Sequence, residues 1–172
     1  MQWQQLVTDI FERISQELEH ALDGLTVDDL NRLPCLGCNS IGWLTWHLTR
    51  AQDSATAELL GDEQVWIKDK WYSRFNRAAD PSDSGFGHSS ADVAAFKLPD
   101  VETLLAYHQA VLERTKQHVS RLTTEELGRE LGDARFPTVE ARLVAVISDN
   151  LQHTGQVAYL RGLLKGKGWL ET

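Results

Sequence analysis

The chain has 172 residues, 42% hydrophobic and 24% charged, the composition of an ordinary soluble globular protein and a length that builds a core without disulfides or structural metals. A net charge of −8, from 25 acidic against 17 basic residues, argues against nucleic acid and anionic membrane surfaces as partners, since both favour clustered Lys and Arg. No apolar run approaches the length of a membrane span, and the N-terminus, Met-Gln-Trp-Gln-Gln-Leu-Val-Thr-Asp-Ile, lacks the basic and then apolar regions of a signal peptide, so the cytoplasm is the expected location.

Four long helical patterns follow in chain order. The first runs from about Gln2 to Asp23, with Trp3, Leu6, Val7, Ile10, Ile14, Leu18 and Ala21 at helical spacing. Gly24 suits its end, and Thr26-Val-Asp-Asp opens a short capped helix. Cys35 and Cys38 come next, in Cys-Leu-Gly-Cys. Two further zinc ligands are missing from the neighbouring sequence, and a redox motif would want a strand-to-helix junction. Their expected place is a loop at a helix entrance, where a reversible disulfide is geometrically open to them.

The second pattern begins after Asn39 or Ser40, both good caps, and runs to about Leu60 before Gly61. Ile41, Leu44, Leu48, Ala51, Ala55 and Leu59 form its stripe. Residues 61–98 keep no period, and Pro81, Ser82, Ser84, Gly85, Gly87, Ser89 and Ser90 mark a long crossover loop. Trp66, Trp71, Tyr72 and Phe75 predict that part of it packs, as a short helix. The third long helix spans about Val101 to Leu122, followed by a short capped one at Thr123-Thr-Glu-Glu. The fourth runs from about Thr138 to Leu164 and stops at Gly166-Lys-Gly. No alternating strand pattern of useful length appears. The expected fold is all-α: one domain over residues 1–172, a four-helix bundle with a long crossover between helices 2 and 3.

Chemistry concentrates on two of these helices. Asp149 and His153, one helical turn apart, share a face of the fourth. His47 lies on the second, flanked by Trp43 and Leu44 one turn before and Ala51 one turn after. A buried carboxylate needs a cation or a hydrogen-bond network. Two inward histidines and an inward carboxylate would therefore make a metal site if the helices face each other. The alternative is two hydrogen-bonded core histidines with Asp149 as an acceptor between helices, and spacing alone leaves both open. His108 and His118 sit ten residues apart on the third helix, too far for one site. Neither these two nor His20 and His88 are expected to be ligands.

Trp-His-Leu-Thr-Arg-Ala-Gln-Asp on the second helix and Asp-Asn-Leu-Gln-His-Thr-Gly-Gln-Val-Ala-Tyr-Leu-Arg on the fourth resemble the two signatures of the DinB-like (YfiT-like) superfamily. This group includes the metal-binding domain of mycothiol-dependent maleylpyruvate isomerases and other bacterial thiol transferases. The resemblance covers essentially the whole chain, helix order and crossover included. It implies a metal triad of one histidine on the second helix and an H-x-x-x-H pair on the fourth. His47 matches the first ligand and His153 the last, while Asp149 stands where the middle histidine is common; maleylpyruvate isomerase-like members have Glu there.

Three protein ligands leave coordination positions open, the layout of a catalytic site. The donor set accepts Zn²⁺, Ni²⁺, Fe²⁺ or Mn²⁺ and does not choose among them; Zn²⁺ or Ni²⁺ is the first expectation. The resemblance implies a metal-dependent thiol S-transferase, activating a low-molecular-weight thiol such as mycothiol as cosubstrate for attack on an electrophile. Trp43, Trp46, Trp66 and Trp71 are candidates to wall the pocket, although core packing claims at least two. Arg50 and Arg161 are candidate contacts for a thiol or substrate anion, with structural salt bridges as the other role open to them. Asp53 and Gln156 are candidates to orient the histidines. Two other functions stay open: a metal-binding stress or detoxification protein without turnover, and a structural dimer with a decayed site. A homodimer is common in the family.

Overall fold

A computed structural model describes residues 2–166. Four long helices, α1 (Trp3–Leu22), α3 (Ile41–Leu60), α7 (Val101–Val119) and α9 (Val139–Lys165), pack in a ring in which α3 and α1 each touch both α7 and α9. Five short helices join them: α2 (Val27–Asn31), α4 (Val65–Lys68), α5 (Trp71–Arg74), α6 (Ser90–Ala95) and α8 (Thr124–Leu127). Among the described residues the extended pairing is limited to one isolated bridge, Glu130 with Thr138.

Local chemistry sets the helix ends. Ser40 and Thr138 accept hydrogen bonds from the backbone N–H groups of Trp43 and Ala141, capping α3 and α9. Gly61 and Gly166 close the same two helices in the left-handed conformation that glycine adopts without strain. The fourth pattern therefore ends as expected; Lys167 and Gly168 of its stop signal lie outside the described residues. The third ends at Val119, earlier than Leu122, because residues 120–122 turn toward α8, which Thr123 caps.

The crossover is explained by direction. Leu98 packs beside Gly42 at the start of α3, immediately before α7 begins, while Arg114 near the end of α7 bonds to Asp62 just past α3. Helices α3 and α7 are thus parallel, and the chain between them must travel back along the bundle. It does so over the outward face of α3, folding into three short helices where one was expected. With α7 and α9 on its other sides, α3 is buried nearly all round: His47, Arg50 and Asp53 bond to the crossover, while Thr49, Gln52 and Thr56 bond to α7 and α9. Buried polar groups require partners, and the crossover supplies many of them.

Candidate metal centre

Helices α3 and α9 bring His47, Asp149 and His153 together, with one ligand atom from each within 4.8 Å of the others. The two imidazole rings meet edge-on, centroids 5.0 Å apart. His153 Nε2 lies 3.5 Å from Asp149 Oδ1, across one turn of α9. The three residues predicted as ligands are therefore neighbours in space.

Each histidine has its other nitrogen held. The Nδ1 of His47 is 2.5 Å from the carbonyl oxygen of Ser84, at the apex of the crossover. A carbonyl only accepts, so Nδ1 carries the proton and Nε2 keeps its lone pair. His153 Nδ1 is 2.7 Å from Gln156 Oε1, which assigns its tautomer in the same way. Gln156 thus orients a histidine, as expected from its position one turn on. Trp43 stacks on the His47 ring at 4.8 Å and 12°, and donates from its indole N–H to His88 Nδ1. Gly85 lies flat against this group with φ +85°; a Cβ there would stand 2.8 Å from Trp43 and 3.1 Å from His47 Nδ1. Glycine is required at that close approach.

The residues present fit a cation. Asp149 Oδ2 is buried and has no hydrogen-bond partner among the described residues, a costly condition for a carboxylate oxygen. A nitrogen of each imidazole and a carboxylate oxygen of Asp149 converge as a donor set suited to a divalent transition metal. Burial pushes the His47 imidazole below its ordinary value, an effect to which His153 adds. Burial also works against protonated His153, but hydrogen bonds to Asp149 and Gln156 outweigh it and raise the group. Burial would raise the Asp149 carboxyl, yet His153, His47 and Arg135 hold it below the usual range. Asp149 and His153 thereby hold a proton where a cation would bind, so proton and metal compete.

The DinB superfamily model matches residues 10–157, most of the chain. This chain belongs to the DinB superfamily. The crystal structure of a conserved protein from Enterococcus faecalis is similar over 97% of this chain and 99% of its own, at 27% identity and a TM-score of 0.89. No curated protein matches the chain.

The other predicted site residues of this DinB protein lie elsewhere. Arg50 is fully buried and its guanidinium is engaged throughout: Nε donates to the Asp83 carbonyl, Nη1 to Asp53 and Tyr107, Nη2 to Gln64 and the Pro81 carbonyl. It ties the crossover to α3 and does not face the triad. Asp53 accepts from the backbone N–H groups of Val65 and Trp66, from the Tyr107 hydroxyl and from Arg50, so it starts α4 rather than orienting a histidine. Arg161 donates to the carbonyls of Ala21 and Asp23 at the end of α1. Trp46, Trp66 and Trp71 belong to the hydrophobic core, and Trp43 serves the site by backing His47. His108 is buried beside Thr49, and His88 is held between Trp43 and Asp83. Cys35 and Cys38 lie side by side in the loop that enters α3, their Cα atoms 5.2 Å apart.

A cavity of about 300 Å³ opens beside the triad, with His47 and Asp149 in its wall. Beside Ser54 of α3, the rest of its polar and aromatic lining comes from Ser84 and Phe86 of the crossover, Arg135 and Phe136 of the segment before α9, and Arg142 of α9. Sequence reasoning missed these last five. Arg135 and Phe136 sit in an aperiodic stretch, where only the adjacent Arg-Phe pair hints at a role.

Proposed function

We propose that this DinB-like domain is a metal-dependent thiol S-transferase: a low-molecular-weight thiol, mycothiol or similar, loses its S–H proton to solvent, and its sulfur bonds an electrophilic carbon as that carbon's leaving group departs with its electron pair or, in an addition, the displaced π pair takes up a proton. His47, Asp149 and His153 would hold the metal, zinc or nickel first, iron or manganese next. The observation that carries this reading is a two-histidine, one-carboxylate cluster bordering a cavity, with one carboxylate oxygen left unpartnered. When bound, a divalent cation supplies positive charge that makes a nearby thiol more acidic. The chain's own part is preorganisation: Ser84 and Gln156 set the two tautomers, Trp43 and Gly85 keep the His47 ring in place, and the cavity admits a small molecule. Holding reactants in one small site replaces a bimolecular encounter with an oriented one.

A cytoplasmic enzyme acting in detoxification suits the reading, as does the finding that no described helix is long and apolar enough to cross a membrane. Val144, Leu151, Tyr159 and Leu163 are exposed on α9, and we assign the homodimer contact to them; sedimentation of the purified protein tests it. The functional test is conjugation of mycothiol, bacillithiol or glutathione to a model electrophile, with metal content measured on the same sample. Turnover that His47→Ala abolishes supports the enzyme. Bound metal with no turnover for any of the three thiols favours a metal-binding protein without catalysis.

A further inference from the structure

We infer that the cavity beside the triad is a site for a small carboxylate-bearing molecule, with Arg135 as the residue that binds its anionic group. The inference deepens the proposed function by naming the chemistry of one reactant, and it rests on that reading only in taking this cavity as the substrate side of the metal centre.

Two arginines line the cavity, and they differ. Arg142 Nε lies 3.0 Å from Glu58, so its charge is already paired. Arg135 makes no ion pair with a carboxylate among the described residues. An exposed arginine is ordinarily a solvated surface charge, but this one is held by two rings. Its guanidinium carbon lies 5.5 Å from the ring centre of Phe86 and 5.1 Å from that of Phe136. These rings come from different segments, the crossover and the stretch before α9. Contact with aromatic rings uses none of the guanidinium's hydrogen bonds, so its N–H groups stay free to donate to a planar carboxylate.

The other cavity residues fit the same ligand. Phe86 is 76% exposed, far beyond what core packing explains, and it shares the lining with Arg135. Ala51, Ala145 and Val146 offer a small apolar surface for a ligand's body. Asp149 in the same cavity wall feels the charge of Arg135 but makes no ion pair with it among the described residues, so the guanidinium's N–H groups are left to attract an anion from solvent. The volume of about 300 Å³ admits a compact molecule.

The test uses benzoate and its neutral isostere benzamide, titrated by calorimetry into full-length protein, both metal-stripped and zinc-loaded. Benzoate binding to both forms, at least ten times tighter than benzamide, is the expected result. Arg135→Gln should lower benzoate affinity at least tenfold without changing benzamide, and Arg135→Lys should restore part of the loss. Unchanged benzoate affinity in Arg135→Gln would overturn the inference, as would no discrimination between the two probes. Benzoate binding only to zinc-loaded protein, undiminished by Arg135→Gln, would make the metal the anion's sole partner and also overturn it. Arg135-dependent benzoate binding in a protein that takes up no zinc would uphold the anion site and remove the metal reading.

Discussion

His47 and Arg50 leave α3 three residues apart and both bond to the crossover, yet they end in opposite conditions. Arg50 enters a closed network in which its donors and the oxygens of Asp53 are used within the protein. His47 enters an open one: its Nδ1 is held by Ser84, while the neighbouring carboxylate keeps an unused buried oxygen beside a cavity. A buried charge that is fully bonded serves the fold, and one left unbonded at a cavity points to something that binds. The charged residue nearest a motif is therefore not the functional one by default.

The comparison breaks hardest on the closed side. Asp53→Ala strands the buried Arg50 charge and removes the acceptor for Val65 and Trp66; urea denaturation should show a loss of about 3–5 kcal/mol. Substitution at Gly85 strikes the join between the two regions. Gly85→Ala forces a methyl group against Trp43 and His47 at a backbone angle disfavoured for alanine, and should cost about 1–3 kcal/mol in the same assay.

Protons sharpen the contrast further. Burial lowers the His108 imidazole to about 4, so the unfolded chain binds a proton there that the folded chain refuses. Stability from this residue falls as pH drops below the unfolded value, by about 2 kcal/mol between pH 6.5 and 5. His108→Leu should flatten that slope. His153 has the opposite sign. Its folded value is raised, so in metal-free protein its pairing with Asp149 contributes fully below the unfolded value and is lost as pH rises through the folded one. Comparing the pH dependence of metal-free wild type with His153→Ala reads this smaller term. The mildest change to the fold is Gln156→Ala, which leaves unfolding nearly unaltered while weakening metal affinity at least ~10-fold, as loss of a residue orienting a ligand does.

How much of this was legible in the sequence follows from the range of the interactions. The long helices were readable because period and caps are local, as Ser40, Gly61 and Thr138 illustrate. Asp149, His153 and Gln156 were readable together because a single helix sets their spacing. His47 joined them through its motif. The roles of Arg50 and Asp53 depended instead on Gln64, Val65, Trp66, Pro81, Asp83 and Tyr107, brought in by a crossover with no period. Arg135 gains its setting only when Phe86, far away in sequence, folds against it. The buried polar residues of α3 were equally hidden, since an apolar stripe reveals neither that a loop will cover Arg50 and Asp53 nor that Gln52 and Thr56 will find partners on α7 and α9.

The central claim is that His47, Asp149 and His153 form one metal site. Elemental analysis of protein purified without chelator, on wild type and on His153→Ala with folding confirmed by circular dichroism, tests it most directly. Wild type should carry roughly one divalent transition-metal ion per chain, and the variant should lose it. Equal metal in both proteins, or none in wild type even after incubation with zinc and nickel, would contradict it.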